Sequence, residues 1–209
     1  MKKFDFPLDA FQLARLTSQF REKKDVIALW MNSLKTIAAY ARPEDAKIVG
    51  ELVLVVDRMS RLFIHTQDKS YSVNFPFSVR EVEGALEFGT PTCPVVDSKV
   101  TSDIISLINT NDVLNKRSVS EFADPLLEIY GEQDVIWELL RDLMIADDGY
   151  LRIDHDPANV NGNVHPLDHI DIFYSQSATF KLGLRARIPI EAFHDLMNIR
   201  TDCFFLGGA

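Results

Sequence analysis

Apolar positions in the first part of the chain recur mostly at helical spacing. Leu8, Phe11, Leu13, Leu16 and Phe20 do so over residues 8–22, and Val26, Trp30, Leu34, Ile37 and Ala38 over 25–41. Both stretches are therefore expected to be amphipathic helices. Residues 43–62 carry two signals. Their Val- and Leu-rich composition suits a strand, yet Ile48, Leu52, Val55, Met59 and Leu62 keep a helical period, and Pro43 followed by Glu44 and Asp45 has the character of a first helical turn. Helix is the resulting expectation, with His65 as a C-terminal cap. Tyr71 to Phe77 reads as a short strand, and Ser78-Val-Arg-Glu81 as a capping box opening a helix to about Phe88. Further helices are expected at 102–109, from the capping box Ser118-Val-Ser-Glu121 as far as Pro125, and from an Asp134 cap through Leu139, Leu140, Leu143 and Met144 to Gly149.

From Tyr150 the period falls to two. Leu151 and Ile153 alternate with Arg152, Asp154 and Asp156; Ile170 and Ile172 with His169 and Asp171; Leu182, Leu184 and Ala186 with Lys181, Arg185 and Arg187. This predicts three antiparallel strands with an apolar face for the helices and an open polar face. A closing helix starts at Pro189 and carries Phe193 and Met197, before a last buried segment, Cys203 to Leu206. The expected fold is α+β. A mainly helical N-terminal two thirds (1–149) packs on a C-terminal antiparallel sheet of about three strands with a closing helix (150–209), all in one domain (1–209).

Composition narrows the function classes. A hydrophobic share of 46% and a charged share of 25% suit a soluble globular protein. The chain has neither a signal-like apolar core nor a bilayer-length apolar run, so no membrane association and a cytoplasmic location are expected. Cys93 and Cys203 form neither a disulfide framework nor a C-x-x-C pair. The net charge of −9 is concentrated in residues 43–150, where nine basic residues face twenty acidic ones. Nucleic acid would be repelled without a basic partner. No phosphate-cradling, dinucleotide or nucleophile-elbow motif occurs, so no sequence pattern names an enzyme.

Chemistry concentrates in residues 150–209, which hold His155, His165, His169 and His194 of the five histidines. Asp154, Asp156, His165 and His169 make a mixed oxygen and nitrogen set suited to Zn, Mn or Fe. The set depends on the segment Pro166-Leu167-Asp168. An extended chain would separate His165 and His169 by about 13 Å, whereas a helical turn would bring them within about 6 Å. A metal-free alternative makes His169 a general base oriented by Asp171, with Arg187 clamping an anion. The bland reading is an ordinary solvated sheet face.

The order R-I-D-H-D, H-P-L-D-H-I-D, R-I-P resembles the C-terminal pattern of uncharacterised bacterial domain families with R-x-D-x-D, H-P-x-x-H-x-H and R-x-P segments. The match covers about 55 residues through Arg152, Asp154, Asp156, His165, Pro166, His169, Arg187 and Pro189, with Asp171 where the pattern has a third histidine. The resemblance implies a bacterial setting, an association with defence or toxin modules, and a structural role for the H-P-x-x-H turn. The expected function is a non-enzymatic accessory or interaction protein, whose partner is another protein or a second copy. The alternative is a metal-dependent phosphodiesterase or nuclease using Asp154, Asp156, His165 and His169.

Overall fold

The segment with two signals is a strand. β2 (Gly50–Val56) buries Leu52, Val53 and Leu54 in succession, because it lies inside a sheet covered on both faces. A strand of that kind shows a continuous apolar run and no alternation, which is why its period misleads. The Pro43-Glu44-Asp45 signal corresponds only to a short 3-10 turn at Asp45–Lys47. The chain reverses after Val56 into β3 (Arg61–Thr66) and again into β4 (Lys69–Asn74). His65 therefore lies in a strand and caps no helix.

This computed structural model describes residues 1–17, 22–110, 135–175 and 178–202. The expected capping box at Ser118, Pro125, the Asp134 cap and the Cys203 to Leu206 segment lie outside the described residues. Seven strands form one antiparallel sheet in the order β1 (Lys2–Leu8), β2, β3, β4, β7 (Tyr150–His155), β8 (Asp168–Ser175) and β9 (Ala178–Gly183). β1 is an edge strand, where Pro7 costs no ladder bond. β5 (Ser78–Val82) and β6 (Ala85–Gly89) form a separate hairpin. Its turn holds Glu83 and Gly84 both at positive φ, the conformation of a tight primed turn. That turn stands where the sequence predicted a helix.

The mainly helical N-terminal two thirds is thus overturned, since six of the nine strands among the described residues lie before residue 149. Helices line one face of the large sheet: α2 (Lys23–Ala38), α3 (Ser98–Thr110) and α4 (Val135–Ile145). The expected helix over 8–22 is reduced to the five-residue α1 (Ala10–Ala14), capped by Asp9 and Gln12. Trp30 fixes α2 to the sheet by donating its indole N–H to the Asn74 carbonyl at 2.7 Å. The helices bury Leu52, Leu54, Leu62, Ile64, Tyr71 and Val73 of that face. On the opposite face, Val53, Phe63, Ile153 and Ile170 form a smaller core under Phe193 of α5 (Ile190–Leu196). Among the described residues no helix is long and apolar enough to cross a membrane.

Candidate metal centre

Strand alternation places Tyr150, Arg152 and Asp154 of β7 on one face, opposite Phe173, Asp171 and His169 of β8, with Lys181 of β9 opposite Asp171. This is the helix-covered face. Tyr150 and Phe173 stack at 4.9 Å within the main core, and the charged row continues directly beyond them. The expectation of an open polar face is corrected accordingly. His169 is fully buried, and Asp154 and Asp171 are only 2% and 3% exposed.

Burying these charges requires internal compensation. Arg152 supplies a fork: its Nε donates to Asp154 Oδ1 at 2.6 Å and its Nη2 to Asp154 Oδ2 at 2.7 Å, while Nη2 also donates to Asp171. Burial opposes the Arg152 charge, but the hydrogen bond to Asp154 and the fields of both aspartates offset it and hold the guanidinium above its ordinary range. Lys181 donates to Asp171 Oδ1 at 2.8 Å. Two carboxylates therefore meet two cations around His169.

The hydrogen bonds of His169 fix its tautomer. Nδ1 lies 2.9 Å from the Pro166 carbonyl, which can only accept, so Nδ1 carries the proton. Nε2 lies 3.1 Å from Lys181 Nζ, which can only donate, so Nε2 presents its lone pair. A backbone carbonyl holding one ring nitrogen and leaving the other free is the arrangement that orients histidine ligands. Pro166 can reach this position because β9 has Gly183 opposite His169; a Cβ there would lie 3.1 Å from Pro166 Cγ.

Asp154, His169 and Asp171 offer one ligand atom each within 4.8 Å of one another and could hold a metal ion. The set fits a transition metal in donor chemistry: one imidazole nitrogen and two carboxylate oxygens, all buried. Asp154 and His169 of the expected set belong to it, and Asp171 completes it. Asp156 and His165 do not. Asp156 stands in the loop after β7, where both carboxylate oxygens accept from Asn159 Nδ2 at 3.0 Å, and His165 Nε2 is 3.2 Å from Asp156 Oδ2. The Asn159 hydrogen bond, with His165 assisting, lowers the Asp156 pKa.

Pro166 to Asp168 forms neither of the two conformations considered from sequence. His165 closes an isolated bridge with Asn161, a bend follows at Leu167, and β8 begins at Asp168. The two rings still meet edge to face at 4.7 Å, but the His165 nitrogen is turned toward Asp156. Arg187 also falls away from the centre. β9 ends at Gly183, so Arg185 and Arg187 are off the sheet and exposed, and Arg187 donates to the Gln67 carbonyl. His155 lies on the opposite face, paired with Asp168 at 2.8 Å.

Alternation also brings Lys181 into this row, although a lysine on an edge strand usually reads as solvated. A second histidine pair leaves no sequence signal. His65 and His194, 129 residues apart, face each other through Nε2 at 2.9 Å beneath α5, and no spacing rule connects them. No protein family, curated protein or solved structure matches the chain.

Proposed function

We propose that this chain works by binding and not by turnover, as an accessory or interaction protein whose ligand-responsive part is the Asp154, His169 and Asp171 centre. The observation that carries the reading is the cation already seated there. Lys181 Nζ lies 3.1 Å from His169 Nε2 and 2.8 Å from Asp171 Oδ1, two of the three candidate ligands, while its side chain is 33% exposed and can swing to solvent. A divalent Zn, Mn or Fe ion exchanges with the ammonium. Metal bonds of about 2.0–2.2 Å draw the ligands in by about an ångström, and edge strand β9 gives them room. The exchange frees Lys181 and alters the outer edge of the sheet. The acidic stretch 43–150 suits a basic protein partner.

Calorimetric titration of metal-stripped protein with Zn(II) and Mn(II) tests this. Lys181→Met removes the resident competitor and is expected to bind one ion at least tenfold more tightly than the parent, while Asp171→Asn abolishes uptake. Absence of stoichiometric binding by Lys181→Met, or binding no tighter than the parent's, overturns the reading.

The metal-dependent phosphodiesterase or nuclease, read from Asp154, Asp156, His165 and His169, would retain only Asp154 and His169 at this centre and would need space for a phosphate and a nucleophilic water. Full burial of His169 and the Arg152 fork across both carboxylates weigh against that space. Mn-dependent cleavage of bis(p-nitrophenyl) phosphate that disappears in His169→Ala would replace the binding reading with the catalytic one.

A further inference from the structure

The opposite face of the sheet holds a buried cation with no counter-ion among the described residues. Arg61, at the start of β3, is 7% exposed. Its Nε donates to Ser72 Oγ at 2.7 Å and its Nη2 to the Ser72 carbonyl at 3.2 Å, both neutral acceptors. Among the described residues no carboxylate forms an ion pair with it; the acid whose field it feels is Asp147. Burial pushes its pKa below the ordinary arginine range. An uncompensated buried guanidinium is costly, and proteins ordinarily pair such a charge.

Arg61 lines a cavity of about 120 Å³ between the sheet and α5, whose other walls include Val55, Met59, Phe63, Met197 and Ile199. That is close to the roughly 150 Å³ of an apolar cavity that takes benzene, so about four to six carbon atoms fit. We propose that this cavity binds a small monocarboxylate with a short apolar tail, its carboxylate paired to Arg61 and its tail against Met59, Phe63 and Met197.

Charge favours one negative charge over two. Of the acids at the rim, Asp57 accepts from Arg200 at 2.6 Å and lies 3.9 Å from the Met1 ammonium, whereas Asp195 is exposed and in no ion pair among the described residues. Lys3 at the rim is engaged by Asp5 at 2.9 Å. A phosphate dianion would face Asp195, and the apolar walls would leave its other oxygens unsatisfied. A monocarboxylate places one charge on Arg61 and its methylenes on the walls.

The site is on the face away from the metal centre, so the two proposals stand or fall separately. The test is calorimetric titration with sodium hexanoate, the neutral isostere hexanamide, and inorganic phosphate. Hexanoate is expected to bind with one-to-one stoichiometry at least tenfold more tightly than hexanamide, and phosphate not to compete. Arg61→Gln should lose that preference. Because Arg61→Gln could disturb β3, Met59→Trp serves as the second variant: it fills the cavity from a half-exposed position, leaves Arg61 in place, and should abolish binding with an unchanged circular dichroism spectrum. Equal affinity for hexanoate and hexanamide, hexanoate binding unaffected by Met59→Trp, no hexanoate binding at millimolar concentration, or displacement of hexanoate by phosphate each overturns the proposal.

Discussion

Acidification should destabilise the protein through His65 in a defined window. His65 is 3% exposed, its Nδ1 3.0 Å from Ser70 Oγ and its Nε2 2.9 Å from His194 Nε2. Burial, reinforced by the neighbouring His194, lowers its pKa to about 4 from the ordinary 6.5. The native state therefore refuses a proton that the unfolded chain accepts. Stability from this group is fully present above about pH 6.5 and is lost as pH falls toward 4, below which both states are protonated. At about 1.4 kcal/mol per pH unit, the gap amounts to roughly 3 kcal/mol, a large part of an ordinary folding free energy. Other groups around the imidazole also act. His194 on α5 is depressed by burial and Lys3 in the same sense, Asp5 on β1 opposes, and Glu51, paired with His65 across β2 and β3, has a raised pKa from burial and Asp5 and works in the opposite direction. The difference between parent and His65→Gln isolates the histidine. In urea denaturation at intervals from pH 7.5 to 4, the parent should lose roughly 3 kcal/mol more than the variant. Parallel curves would refute the buried neutral imidazole.

Four further outcomes follow from packing, charge and backbone conformation. Asp154→Asn leaves Arg152 without its bidentate acceptor in a buried network and should cost about 3–5 kcal/mol in urea denaturation. Phe193→Ala removes the ring that α5 inserts against Phe63, at 5.8 Å, and should cost about 3–5 kcal/mol. Gly84→Val puts a β-branched residue where φ is +83° and should lower the melting temperature, whereas Glu83→Asn, at φ 51°, should raise it slightly because asparagine tolerates that region.

What the sequence conveyed depended on where each residue sits in the sheet. The strands β7 and β8 and helix α5 were legible because each shows one periodicity: Ile153 and Ile170 alternate cleanly with Asp154 and His169, whereas the alternation read from Lys181 to Arg187 overlaps β9 only as far as Gly183. β2 was not, since Leu52, Val53 and Leu54 are buried on both faces and erase the alternation. The β5–β6 hairpin was hidden by the resemblance of Ser78 and Glu81 to a capping box, although Ser78 Oγ in fact donates to the Gly89 carbonyl across the hairpin. At the centre, alternation placed Asp154 and His169 together and set Asp171 beside them, while the loop from Asp156 to Leu167 follows backbone contacts such as Asp156 N–H to the Leu167 carbonyl that no side-chain pattern announces. Lys3 and His194 reach Arg61 and His65 of β3 only through long-range pairing.

The most direct test of the metal centre is the imidazole ¹⁵N spectrum of His169 before and after Zn(II) is added to metal-stripped protein. The account predicts a protonated Nδ1 and an unprotonated Nε2 before addition, and a shift of Nε2 alone, with Nδ1 still protonated, once Lys181 yields to the ion. An Nε2-protonated ring at the outset, or an Nε2 resonance unchanged at saturating Zn(II), would contradict it.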